Sequence, residues 1–176
     1  TGANTYTGTT TISAGALQIG DGGSSGALGS GAVVNNASLI FNRSNALTIA
    51  NVISGSGGLI QRGTGTTVLS ADNSYGGTTV VSGGTLQLGN AGTTGTLGAG
   101  AVTLSNNANL SYVRSADTTI ANSISGVGSL SASITGVGSD LTIANAVALT
   151  DGTVNLAADG HLTVTQSLGT TNATSS

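Results

Sequence analysis

NSYGGTTVVSGGTLQLG, residues 73–89, restates NTYTGTTTISAGALQIG, residues 4–20, nearly word for word. Sliding the chain along itself by about 70 residues extends the match. Asn4 falls on Asn73, Tyr6 on Tyr75, Gly15 on Gly84, Leu17 on Leu86, and Leu28-Gly29 on Leu97-Gly98. After a two-residue insertion, NNASLIFNRS meets NNANLSYVRS and LTIANVISGSGGL meets TTIANSISGVGSL. A fainter echo, LTIAN, begins at Leu141, and beyond it the pattern dissolves.

Within each copy the apolar residues recur at every second position, as in Leu17/Ile19, Leu39/Phe41, Leu86/Leu88, Leu110/Tyr112 and Leu141/Ile143. That is the period of a strand with alternating faces, and no stretch of a dozen residues carries a capped helical stripe. The runs are short and end in clusters of Gly, Asn, Asp and Ser, residues that turn tight corners. Thr and Val crowd the runs because β-branched side chains suit a pleated surface.

Many short strands fit either a sandwich or a solenoid. Aromatic residues are 2% of this chain, with one Phe and three Tyr, too few for a wide sandwich core. Leu, Ile, Val and Ala suffice for a narrow one, and a long self-similar period points to stacked coils. The expected fold is all-β, a parallel β-solenoid whose rungs of about 20 to 25 residues stack ~4.8 Å apart. Each long repeat then holds about three rungs and the chain about seven to eight. Inward Ile, Leu and Val form aliphatic columns, and outward Thr and Ser form hydroxyl columns. Tyr6 and Tyr75 are expected on the same edge, several rungs apart. Asn35-Asn36 and Asn106-Asn107 are expected at corners, where an amide tolerates left-handed backbone and can bond a neighbouring rung. The chain reads as one solenoid over 1–176: a first long repeat over 4–72, a second over 73–130, diverged rungs over 131–168, and a frayed tail over 169–176.

Composition narrows the function. Hydrophobic residues make up 38% of the chain and charged residues 5%, with 30 Gly, no Pro or Cys, and a mean hydropathy of +0.28. Such a chain folds, since disordered chains are rich in charge and Pro. No apolar run approaches the length of a membrane-spanning helix. A net charge of −3 with three Arg and no Lys supplies no basic stripe for phosphates, which argues against nucleic acid as a partner. Without Cys there are no disulfides or thiolate metal sites. Thr1-Gly2-Ala3 leads straight into the repeat, so the chain reads as an excerpt whose flanks lie outside it.

Asn4-Thr5-Tyr6-Thr7-Gly8-Thr9-Thr10 with Ile12, Gly15, Leu17 and Ile19-Gly20 resembles the autotransporter-associated β-strand repeat, also called the passenger-associated transport repeat. Asn73-Ser74-Tyr75-Gly76-Gly77-Thr78-Thr79 with Val81 and Gly83-Gly84-Thr85-Leu86-Gln87-Leu88-Gly89 is more similar still. Gly63-Thr64-Gly65-Thr66-Thr67-Val68-Leu69 resembles the strand that precedes the motif. The resemblance implies a right-handed parallel β-helix in a passenger exported by a Gram-negative cell. It also implies extracellular display, through the outer membrane, by a C-terminal β-barrel outside this sequence. After Leu130 neither the Asn-x-Tyr nor the Gly-Thr-Leu element recurs.

The residues able to carry chemistry are few. Asp21, Asp72, Asp117, Asp140, Asp151 and Asp159 are the six acids, scattered and mostly beside Gly or Asn, where Asp forms turns. A polysaccharide-cleaving β-helix needs its carboxylates clustered. His161, the single His, has no nucleophile elbow or oxyanion donors to complete a triad, and no clustered ligands for a metal. Asp21-Gly22-Gly23 and Gly136-Val137-Gly138-Ser139-Asp140 hint at Ca²⁺-binding nonapeptides but do not recur every nine residues. Gly55-Ser56-Gly57-Gly58 lacks the helix and Lys of a phosphate loop. Thr9-Thr10-Thr11, Thr66-Thr67 and Thr78-Thr79 do not repeat on every rung as an ice-binding face requires. Sequons at Asn36, Asn42, Asn109 and Asn172 follow from a composition rich in Asn and Ser.

No catalytic, cofactor-binding or metal residue is assigned, and no cofactor is called for. The chain reads as a non-enzymatic stalk segment of a secreted passenger, aiding its folding and export and presenting a distal effector. Its expected partners are the rest of its own passenger and the barrel. The alternatives are an adhesive or self-associating surface, meeting copies of itself or host glycans and proteins, and a polysaccharide-active enzyme in a groove of the coil.

Overall fold

The computed structural model describes residues 2–171. Strands and corners wind into a β-solenoid with three faces. On the first face stack β1 (Thr10–Ile12), β3 (Val33–Asn35) and β6 (Ile53–Ser54), then, after a gap, β12 (Thr118–Ile120), β14 (Leu141–Ile143) and β17 (Leu162–Val164). The second face runs through β2 (Ala16–Ile19), β4 (Ser38–Phe41), β7 (Gly58–Gln61), β9 (Thr79–Val81), the start of β11 (Val102–Arg114), the start of β13 (Ile124–Ile134), β15 (Val147–Thr150) and β18 (Leu168–Thr171). The third takes β5 (Leu47–Ile49), β8 (Thr66–Leu69), β10 (Thr85–Gly92), the ends of β11 and β13, and β16 (Val154–Ala158). Every pairing between these strands is parallel.

Register follows the alternation of side chains. Leu17, Leu39, Leu59, Thr79, Val102, Ile124, Val147 and Leu168 form one inward column of the second face, in steps of 20 to 23 residues. Leu47, Thr67, Leu86, Leu110, Leu130 and Val154 form another on the third face. A slip of one residue would turn each of these side chains to solvent, so burial fixes the register. The shaft is aliphatic, as expected, and Gln61 and Thr67 inside it pair with each other: Thr67 Oγ1 donates to Gln61 Oε1 at 2.7 Å, and Gln61 Nε2 donates to the Gly63 carbonyl at 2.9 Å.

The two copies do not share an edge. β9 is the sequence counterpart of β1, yet it stacks on β7 in the column containing β2. Three turns of that column run from Leu17 to Thr79, a span of 62 residues, whereas Tyr6 and Tyr75 are 69 apart. The excess of about seven residues is one strand with its corner, so the second copy is rotated by one face about the axis. The same residues build each face because all three present the same inward-outward alternation to the same narrow core.

The Asn pairs sit at corners in different ways. Asn106 and Asn107 take positive φ, 53° and 56°, and Asn106 Nδ2 donates to the Ser82 carbonyl of the preceding turn at 3.1 Å. Asn35 is buried instead, donating to the Gly58 carbonyl of the next turn at 2.8 Å, while Asn36 Oδ1 accepts from the Ser56 amide. The two-residue insertion lengthens the second corner and lets Leu104 take the inward place that Asn35 holds in the first. At the far end, Gly169–Thr171 pairs with β15 within β18, where a fray was expected from residue 169. Asn172–Ser176 lie outside the described residues.

Candidate functional site

The most regular side-chain feature spans three successive turns and occurs in both copies. Tyr75 Oη bonds Thr79 Oγ1 at 2.7 Å, and the Tyr75 carbonyl accepts from the Ala99 amide at 3.0 Å. Gly98 lies against the Tyr75 ring, and Asn122, one turn further, donates from Nδ2 to the carbonyls of Gly98 at 2.8 Å and Gly100 at 2.7 Å. Tyr6, Gly29 and Asn51 repeat this arrangement: Tyr6 Oη to Thr10 Oγ1 at 2.7 Å, and Asn51 Nδ2 to the carbonyls of Gly29 at 2.7 Å and Gly31 at 2.5 Å. Tyr75 is fully buried, whereas Tyr6 is 42% exposed at the first turn. Burial pushes the Tyr75 phenol above its usual range, against the lowering effect of its bonds to Thr79 and Gly98.

The acids join turns. Asp72 Oδ1 accepts from the Gly95 amide at 2.9 Å, Asp117 Oδ1 from the Asp140 amide at 3.0 Å, and Asp159 Oδ2 from the Gly138 amide at 2.8 Å. Asp140 Oδ1 takes the His161 amide at 2.7 Å and faces His161 Nδ1 at 3.2 Å. The His161 backbone bond, with its ring, holds the Asp140 carboxyl below the usual carboxylate range. Asp21 closes a local turn through the Gly23 amide at 3.2 Å. Among the described residues no three His or Asp side chains converge as metal ligands.

Sequence reasoning passed over Tyr112 and Arg114. They line a cavity of about 420 Å³ whose other walls come from the first face: Asn73-Ser74, Thr96–Ala99, and Thr119 with Ala121-Asn122. This is the gap in that face, where Asn73–Tyr75 and Thr96–Ala99 stand in place of strands. Tyr112 Oη and Arg114 Nε are both buried and have no hydrogen-bond partner. Burial, and then the neighbouring Tyr75, push the Tyr112 phenol far up, only partly offset by Arg114. The first copy shows what differs. Phe41 occupies the place of Tyr112, and Arg43 Nε is held by Asn45 Oδ1 at 3.0 Å, where the second copy has Ala116. Aligning FNRSN with YVRSA was the signal available in the sequence.

The outer surface is mixed. Gln87, Ser111, Ser131 and Asn155 continue one polar column of the third face. On the second face Ile40, Ile60 and Val80 interrupt the hydroxyl columns expected there. Arg62 reaches back two turns to Gln18 Oε1, which continues the same column.

The passenger-associated-transport-repeat family matches residues 1–19 and 59–88. In the structure the matched repeats are β1 with β2 and β7 through β10, so each contains one Tyr with the Thr that bonds its hydroxyl. Over 57 residues the chain is 53% identical to the Adhesin BmaC autotransporter of Brucella suis biovar 1 (strain 1330). That stretch is 32% of this chain and 2% of the other protein. No solved structure matches.

Proposed function

We propose that this segment is a non-enzymatic stalk of an autotransporter passenger, displayed at the cell surface through an outer-membrane barrel outside this sequence. It aids folding and export and spaces a distal effector from the membrane. The observation that carries this reading is the unbroken parallel column of eight strands on the second face, each turn templating the next. In such a stack stability is a sum of nearest-neighbour terms, so folding can advance turn by turn as chain emerges. Side chains that bind the backbone of an adjacent turn, Asn51, Asn122, Asp72 and Asp140 among them, reward each addition. The test is to delete residues 4–168 from the full-length precursor and follow protease accessibility of the passenger on intact cells. Loss of accessible passenger is expected, and undiminished display would overturn the reading.

Adhesion is the second reading. Two observations favour it: the protein matched over 57 residues is named an adhesin, and the Gln87-Ser111-Ser131-Asn155 column offers closely spaced neutral donors and acceptors. Sedimentation and glycan-array binding of the purified segment, with Ser111 and Ser131 changed to Ala, test it. Binding or self-association lost in the variant supports adhesion, and neither event in the native segment sinks it. The polysaccharide-active reading gains no such support, because Asp72, Asp117, Asp140 and Asp159 are each bound to backbone amides.

A further inference from the structure

From the Tyr112–Arg114 cavity we infer a binding site for a small carboxylate-bearing, hydroxyl-rich ligand, an acidic monosaccharide being the class that fits. This goes beyond the stalk reading and does not rest on it. The cavity, about 420 Å³, lies within the range of small-molecule sites, about 300–1,000 Å³. Its chemistry is one-sided. None of the residues lining it carries a carboxylate, and among the described residues Arg114 forms no ion pair.

Arg114 is anchored by one nitrogen alone, Nη2 donating to the Thr93 carbonyl at 2.5 Å. Nε and the Tyr112 hydroxyl, both in residues that line the cavity, are left as buried donors without an acceptor. Unmatched buried donors are uncommon in folded proteins and are expensive to keep unless something is to meet them. Tyr112 is 4% exposed, so its hydroxyl is held in place by packing. A guanidinium and a phenol in the lining of one cavity suit a carboxylate, since both donate and the charge on Arg114 is neutralised. Ser74 and Thr119, also in the lining, can exchange hydrogen bonds with sugar hydroxyls.

The internal repeat is a control within the same molecule. In the first copy, Asn45 satisfies Arg43 Nε and Nη2 at 3.0 and 2.8 Å, while Arg43 also reaches the carbonyls of Gly26 and Ser24. Phe41 brings no hydroxyl. Two differences, Tyr for Phe at 112 and Ala for Asn at 116, therefore separate a closed, self-satisfied corner from one that leaves two buried donors unmatched in residues lining a cavity.

The experiment is NMR titration of the ¹⁵N-labelled 176-residue chain with D-glucuronate, and with D-glucose as its uncharged counterpart. Saturable shifts in the amides of Ser74, Thr96–Ala99 and Thr119–Asn122 are expected with glucuronate, with glucose at least tenfold weaker. Tyr112→Phe and Ala116→Asn, each copying the first repeat, should weaken glucuronate by about tenfold or more while leaving the amide spectrum elsewhere unchanged. Should one variant misfold, the other still decides. Equal binding of glucose and glucuronate, binding indifferent to both substitutions, or no saturable shift at these amides each overturns the proposal.

Discussion

Gly98 sits against the Tyr75 ring one turn below it, so closely that a Cβ on Gly98 would press into the Tyr75 carbonyl and come within 2.6 Å of its Cδ2. Tyr6 and Gly29 stand in the same relation. The fully buried aromatic of the repeat thus depends on a residue 23 positions later having no side chain.

Replacing Gly98 with Ala is therefore expected to destabilise the segment by about 3 kcal/mol, the upper end of overpacking costs, because backbone and ring would both have to move. Gly92 has open space where its Cβ would be, and Ala there should change stability by less than about 0.5 kcal/mol. Urea unfolding of the two variants beside the native chain measures the contrast. Equal midpoints would mean that the turns can separate at Tyr75 without loss.

Asn122 makes the next link. Its Nδ2 supplies both the Gly98 and the Gly100 carbonyls, and Ala would leave them without that donor at a cost of about 2 kcal/mol. Because each turn touches only its neighbours, hydrogen-exchange protection should fall around residues 97–104 and 118–126 while Ile12–Ile19 keeps its own. A uniform loss along the chain would show instead that the solenoid unfolds as one unit.

The strands, their parallel stacking and their number of turns were legible in the sequence, because period-two alternation and a long repeat record burial directly. The rotation of Tyr75 away from the edge of Tyr6 was not. Similarity reports the order strand, corner, strand, and three nearly equivalent faces make that order silent about which face begins it. The Tyr112–Arg114 cavity was also hidden. Its defining feature is the missing Nε acceptor at Ala116, which has meaning only against the Asn45 side chain that holds Arg43 in the first copy. Asp21 forms the local turn that its Gly neighbours predict, but the bonds of Asp117, Asp140 and Asp159 to amides 21 to 23 residues away follow only from the stacking itself.

Acid should loosen the last described turns first. Asp140 accepts the His161 amide and faces its ring, which lowers its pKa from the ordinary 3.8. Asp117 and Asp159 lie in the same corner ladder. A lowered folded-state pKa means that this contribution is complete above the ordinary carboxylate range and disappears as pH falls through the lower folded value. The Asp140 carboxyl ¹³C shift of the native chain should therefore move at a pH below about 3.8, and His161→Ala, which removes the ring's lowering effect, should raise that transition. A native transition above that pH would contradict the assignment.

The one-face rotation of the repeat can be measured in solution. Gln18 and Val80 point outward from one column, joined through Ile40 and Ile60. Three steps of ~4.8 Å place their Cα atoms about 14 Å apart along the axis, on a single face. Gln87 is the sequence counterpart of Gln18 but lies on the third face, paired with Val68 and Ser111. Copies sharing an edge would bring Gln18 into line with Gln87 instead. The chain has no native Cys, so Cys pairs at 18/80 and 18/87 can carry nitroxides without background. Dipolar broadening should be clear for 18/80 and weaker for 18/87, where the added distance around the shaft separates the labels. The reverse order would restore the shared edge. In a tandem array a rotation of this kind would carry successive Tyr–Gly–Asn links from face to face, so three copies bring the motif back to its starting side.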